Sequence, residues 1–285
     1  HGVLQTLNLI QTRGLKQNKT DWAREAGRYK EQGDVYYFVG CLPFHDVVFR
    51  YLDLEVLDTA RNSLAPLNGL DIEPVISNDE RCCGHDAFWS GNIEVFKELA
   101  AHNIEVIKAS GAKTVLFTCP EGYHTFKEYY PQYFGELPFE VLHMSEYLAG
   151  ELSGKDFPGQ RTNGRRVTYH DPCRLGRFSG IYEQPRELIK MVPETELIEM
   201  QRNRENALCC GTSCWMECAM CSRGMQVERL EEALDSGAET LITACPKCRI
   251  HLSCGLKTTD LQLEITDIYT YLRQALKKEE VRSEE

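Results

Sequence analysis

Nine of the thirteen cysteines fall into two passes of one pattern: a lone Cys, then Cys-Cys-Gly, then Cys-Pro. The first pass is Cys41, Cys82-Cys83-Gly84 and Cys119-Pro120; the second is Cys173, Cys209-Cys210-Gly211 and Cys245-Pro246-Lys247-Cys248. Matched positions keep nearly constant offsets: Cys41 to Cys173 is 132 residues, Cys83 to Cys210 is 127, and Cys119 to Cys245 is 126. Such constancy marks a duplicated unit rather than scattered cysteines. The second copy offers five thiolates and the first four, because Gly122 stands where the fifth would be.

A chain of 285 residues with 42% hydrophobic content can bury a substantial core, and the halved pattern predicts two similar domains. A secreted disulfide framework suits far shorter chains, and the cysteine count is odd, so metal binding is the expected use of these thiols. The formal charge of -11 disfavours nucleic acid or an anionic lipid surface as a partner, since both reward clustered Lys and Arg. No run of 18 apolar residues and no signal peptide is present. The first residue is His1 rather than Met, which leaves open a fragment or a mature form. Neither a dinucleotide fingerprint nor a phosphate-binding loop occurs, so electrons must be delivered from elsewhere.

Strand and helix patterns alternate along the chain. Residues 1–33 read as a polar, helical linker or docking arm; 34–153 form the first cysteine-rich domain, 166–276 the second, and 277–285 a flexible charged tail. In the first domain, strands are predicted at Val35–Gly40, Glu73–Ser77, Lys113–Phe117 and Phe139–His143, with helices over Val47–Leu67, Ile93–Ser110 and Ser145–Glu151. After a Gly-containing linker, Gly154 to Arg165, the order recurs: strand Arg166–His170, helix Pro185–Met191, an extended Leu197–Met200, helix Met225–Ser236, strand Thr240–Ala244, then Leu263–Asp267 and the helix Ile268–Lys278. The fold expected is α/β, two tandem pseudo-repeated domains with mainly parallel sheets, the cysteines meeting at strand ends and helix starts.

Iron–sulfur clusters are held chiefly by thiolates, and Cys-x-x-Cys lets two grip neighbouring irons from one turn stiffened by Pro246. Gly211 lets the backbone approach closely and turn amide hydrogens toward sulfur. Five thiolates exceed what a cubane or a tetrahedral zinc needs, pointing to a bridging ligand or an opened cluster that can meet a sulfur substrate.

The doubled arrangement resembles the CCG-domain family of cysteine-rich proteins, which includes the catalytic subunit of heterodisulfide reductase, a subunit of sulfate-reducer membrane redox complexes, and iron–sulfur subunits of glycolate and lactate oxidation systems. The likeness covers about Asp34 to Ser253 and is most specific from His170-Asp171-Pro172-Cys173 onward. It implies that Cys173, Cys209, Cys210, Cys245 and Cys248 bind a noncubane [4Fe-4S] cluster at which disulfides are cleaved or formed by one-electron steps. The first copy departs from that pattern: Cys41, Cys82, Cys83 and Cys119 are left with a different cluster, a zinc ion or nothing. Implied partners are redox subunits carrying ferredoxin-type clusters, flavin or haem, with a thiol or disulfide as substrate. A cytoplasmic location follows, any membrane association passing through those partners.

Remaining candidates are secondary. His170 and His251 are candidate proton donors to a substrate thiolate; His45 and His85 are expected to hydrogen-bond near the first set. Arg174 and Arg177 either offset cluster charge, orient an anionic substrate or lie in solvent. Cys214, Cys218 and Cys221 share a face if helical, and are expected, like Cys254, to be packing residues. Two other functions are carried forward: an electron relay between a flavin-containing hydroxy-acid dehydrogenase and quinone, and a zinc-stabilised scaffold.

Overall fold

A computed structural model describes residues 2–13, 18–155, 165–212 and 220–276. The first half comprises α1 (Gly2–Gln11), α2 (Ala23–Ala26), β1 (Val35–Phe38), α3 (Leu42–Val48), α4 (Asp58–Gly69), α5 (His85–Trp89), α6 (Ile93–Ala109), β2 (Thr114–Phe117), α7 (Pro120–His124), α8 (Tyr130–Phe134), β3 (Glu140–His143) and α9 (Met144–Leu152). The second comprises β4 (Arg166–His170), α10 (Glu183–Met191), β5 (Glu196–Leu197), α11 (Met220–Asp235), β6 (Thr240–Thr243), α12 (Pro246–Lys257), β7 (Glu264–Asp267) and α13 (Ile268–Ala275).

All strand pairs are parallel: β1-β2-β3 in one sheet and β5-β4-β6-β7 in the other, as expected for α/β. The central strands β2 and β6 are short, largely buried runs, the pattern of parallel sheets covered by helices. In a parallel sheet every carboxyl end lies along one edge, so the loops after β1, β2, β4 and β6 bring Cys41, Cys119, Cys173 and Cys245 to those edges. One apolar core runs through both halves, including Tyr36, Phe117, Tyr169, Ile242 and Leu272. The helices exchange partners across the seam: α4 packs on α13, and α9 on α10.

Three expected elements differ. The helix over Val47–Leu67 is broken, because Asp53 takes a left-handed φ of 52° and the Asp46 carboxylate accepts the Leu57 amide at 3.0 Å ahead of α4. The strand at Glu73–Ser77 reduces to isolated bridges from Val75 to Lys30 and Tyr36; Pro74, lacking an N–H, cannot extend the ladder. The extended Leu197–Met200 contributes only Glu196–Leu197 to β5. Elsewhere boundaries shift by a few residues, α11 starting at Met220 rather than Met225. The tail 277–285 and most of the linker lie outside the described residues.

β3 passes into α9 through a capping box. His143 Nδ1 meets the Ser145 hydroxyl at 2.7 Å and accepts its amide at 3.3 Å, while Glu146 returns to the His143 amide at 2.9 Å. Fully buried, His143 is kept neutral, its pKa depressed by desolvation from 6.5 to about 3. Unfolding below pH 6.5 therefore takes up a proton that the folded chain refuses. This contribution is complete above 6.5 and falls by about 1.4 kcal/mol per pH unit toward 3. Asn caps helices well and does not titrate. Urea midpoints followed from neutral pH into acid are expected to decline less steeply for His143→Asn than for the unaltered chain.

Candidate metal centre

The five cysteines of the second copy, Cys173, Cys209, Cys210, Cys245 and Cys248, line one cavity of about 190 Å³. Cys245 stands at the N-cap of α12 with Pro246 next, and Cys248 lies within the helix's first turn. Gly211, at φ 84°, bends the Cys-Cys-Gly segment so that its amide faces Cys209 Sγ at 3.4 Å. Thr212 Oγ1 lies 2.8 Å from Cys210 Sγ. Hydrogen bonds to neighbouring sulfurs, then burial, push the thiols of Cys173, Cys210 and Cys248 well up. Cys209, receiving hydrogen bonds from Cys173 and Cys210, is held low and is the first thiolate of the group. Like charges this close cannot all ionise unaided; a cation filling the set would displace the remaining protons.

The loop that carries Cys173 is anchored from behind. Arg186, fully buried on α10, forks onto Asp171 at 2.7 and 2.9 Å and onto Glu199 at 2.6 and 2.9 Å. Asp171 also accepts the Arg204 amide at 2.8 Å. His170, Cys210 and Cys248 bring ligand atoms within 4.8 Å of one another. His170 Nδ1 accepts from Arg229 Nε at 3.0 Å, which puts its own proton on Nε2. Burial, then Arg229, drops its pKa to about 3. His251 Nδ1 lies 2.5 Å from the Cys210 carbonyl, and burial lowers its pKa as well.

Cys41, Cys82, Cys83 and Cys119 line a tighter cavity of about 30 Å³. Cys41 caps α3, Cys119 caps α7, and Cys41 Sγ lies 3.4 Å from Cys82 Sγ. A Cβ at Gly122 would sit 3.2 Å from the Phe117 ring and 3.9 Å from Cys83 Cβ, so the missing fifth thiol leaves an aromatic wall in its place. The N-terminal arm forms part of this site's support: Gln11 Oε1 accepts the Cys82 amide at 2.7 Å, and Lys19 pairs with buried Glu80 at 3.0 Å. His45 is buried here and kept neutral by desolvation, then Lys247, with a pKa of about 3.

Sequence reasoning missed the residues that join the two sets. Lys247, 3% exposed, pairs with Asp86 at 2.6 Å and with Glu121. Burial opposes its charge, but the two carboxylates outweigh it and hold its pKa well above the ordinary lysine value. His85 Nδ1 completes the group, 3.1 Å from Asp86 and 3.2 Å from Glu121. Glu121 and Lys247 line both cavities. The available signal was positional: each follows its Cys-Pro in matched places of the repeat, with opposite charge.

Cys214 and Cys218 lie outside the described residues; Cys221 is exposed, and Cys254 is half-buried against the core. The eleven described cysteines are all free thiols.

A family model for the cysteine-rich CCG domain matches residues 35–127 and 167–253, so the chain belongs to that family. Among curated proteins it is 32% identical over 268 residues to one subunit of the dihydromethanophenazine:CoB–CoM heterodisulfide reductase of Methanosarcina acetivorans, covering 92% of this chain and 63% of the relative. It is also 32% identical over 207 residues to a probable iron–sulfur-binding oxidoreductase of Bacillus subtilis, covering 71% of this chain and 29% of the relative. The chain thus spans less than two thirds of these relatives' length. A hypothetical protein from Helicobacter pylori shares the fold, with a TM-score of 0.57 at 12% identity over 95% of this chain and 56% of that one. No helix among the described residues is long and apolar enough to cross a membrane.

The two glycine turns make a matched test. A Cβ at Gly84 would meet the Phe96 ring at 2.9 Å, and a ring can swing; one at Gly211 would collide with the backbone carbonyl of Ser222, which cannot yield alone. Both positions have φ beyond 80°. Each Ala substitution is expected to cost about 1–3 kcal/mol by urea denaturation, with Gly211→Ala the costlier. Metal content of the second set is expected to fall in Gly211→Ala and to persist in Gly84→Ala.

Proposed function

We propose that this chain is an iron–sulfur redox subunit of a larger complex, reducing or reversibly oxidising a disulfide-type substrate at the second cysteine set with electrons exchanged with partner clusters. The observation that carries the reading is the convergence of five thiols on one cavity far roomier than that of the first set. Five sulfur donors and that space fit a noncubane [4Fe-4S] cluster held by Cys173, Cys209, Cys210, Cys245 and Cys248. When bound, such a cluster supplies single electrons and an iron site open to sulfur. Four thiols around about 30 Å³ suit a single ion better, so zinc is our reading for Cys41, Cys82, Cys83 and Cys119. The metal-capable trio His85, Asp86 and Glu121 is satisfied instead by the Lys247 ammonium.

The protein's own groups have defined parts in this scheme. Arg186 holds the Cys173 loop through Asp171, and the Gly211 amide turns toward Cys209. For His170 the proposed role is as a hydrogen donor beside the thiolates: it is kept neutral with its proton on Nε2, and its ring lies close to Cys210 and Cys248. Neutral His251 instead commits its one N–H to the Cys210 carbonyl, so the proton donation expected of it gives way to holding the Cys-Cys-Gly turn. The family likeness to a heterodisulfide reductase component supports disulfide chemistry, and redox partners bearing ferredoxin-type clusters, flavin or haem belong to the same proposal.

Anaerobically prepared protein is expected to be brown, to contain iron and acid-labile sulfide, and to show in its oxidised form a paramagnetic resonance signal that changes on adding thiol. Cys248→Ala is expected to lose that signal and most of the iron. A thiol-insensitive signal would favour the hydroxy-acid dehydrogenase relay, and colourless protein with stoichiometric zinc alone would overturn the redox reading.

A further inference from the structure

We propose that the second cavity selects a thiol or disulfide bearing an anionic group, and that Arg174 is the residue that selects it. This rests on the reading that a sulfur substrate enters that cavity, which Arg174 lines immediately after Cys173.

Arg174 is built as a receptor. Its guanidinium carbon lies 4.1 Å from the ring centroid of Trp89 and 4.1 Å from that of Phe178. Trp89 comes from α5 of the first half and Phe178 from the second, so neither half alone makes the clamp. Two aromatic rings confine the guanidinium without neutralising its charge. The side chain is 8% exposed, and its Nη1, shielded from solvent, has no hydrogen-bond partner among the described residues. A buried N–H donor left without an acceptor costs free energy, so a ligand oxygen arriving there is favoured. A flat donor fork matches carboxylate, sulfonate or phosphate, with two parallel hydrogen bonds.

No carboxylate matches this charge, or that of Arg177, among the described residues. Arg177, also on the cavity wall, donates to the carbonyls of Glu205 and Ala207 at 3.0 and 2.7 Å, groups that carry no charge. Glu121, the acidic residue of the lining, is matched by Lys247. Two guanidinium groups with no carboxylate partner among the described residues thus stand in a chain of net charge -11, beside the sulfurs where the substrate would react. Trp89 and Phe178 remain 40% and 46% exposed, and Phe178 also lines the cavity, so the clamp is reachable from solvent.

The test is calorimetric titration of the full, cluster-loaded chain with 3-mercaptopropionate and its uncharged amide, 3-mercaptopropionamide. The carboxylate is expected to bind at least about tenfold more tightly. Arg174→Gln is expected to erase that preference while iron content is kept, and Arg174→Lys to retain part of it, since the charge remains and the fork does not. Trp89→Leu, at a half-exposed position, narrows the preference with the arginine still present. Equal affinities in the unaltered chain, or an unchanged ratio in Arg174→Gln, overturn the proposal. So does an Arg174→Gln protein whose resonance signal changes without thiol while the ratio holds, because Arg174 then serves the bound cluster. Zinc-only protein that still prefers the carboxylate refutes the redox reading alone; cluster-loaded protein without the preference refutes this proposal alone.

Discussion

A single buried ammonium ties the molecule together. Lys247 lies between Cys245 and Cys248 in the second half, yet its charge is met by Asp86 and Glu121 from the first. An unpaired lysine at that depth would cost several kcal/mol, so the seam between the halves must close with these groups in contact. Asp86 follows the Cys-Cys-Gly of the first set closely, and Glu121 follows Cys119 by two residues. Closing the ion cluster therefore sets the two cysteine sets back to back, with Lys247 and Glu121 forming a shared wall.

Other contacts across the seam follow the same exchange. α12 is buried almost all round, and its Arg249 reaches the Glu55 carbonyl at 3.1 Å while pairing with Asp267 at 3.3 Å. Asn62 on α4 donates to Thr270 on α13 at 2.9 Å. The Arg174 clamp has the same character, an arginine from one half held by an aromatic ring from the other. A duplicated unit whose copies only sat side by side would have no such composite features. Here the copies diverged where they face each other: Glu against Lys, Gly122 against Cys248.

Legibility in the sequence varied with the range of the interaction. The strands that deliver Cys41, Cys119, Cys173 and Cys245 are short runs rich in β-branched and aromatic residues, and α6 and α9 lie within a residue of expectation, because these are local properties of the sequence. The break at Asp53 was missed: apolar residues continue through Val56 and Leu57 into the core, and only the Asp46 cap marks the new start. The Glu73–Ser77 segment has strand-like residues, but Pro74 confines it to single bridges. Residues 1–33 read as a polar arm. Gln11 and Lys19 turn out to support the first cysteine set through partners 71 and 61 residues away, contacts with no local signature.

By itself, the spacing of cysteines and apolar runs determined the repeat, the parallel α/β architecture and which thiols belong to each set, since each depends on residues close in sequence or on a period that recurs. Only the tertiary structure decided that the second set encloses a cavity and the first is closed down by Phe117, that Lys247 answers the acids of the other half, and that Arg174 lies between two rings. Those outcomes depend on charge and shape meeting across residues far apart in the chain, where burial removes water and makes each unmet polar group costly.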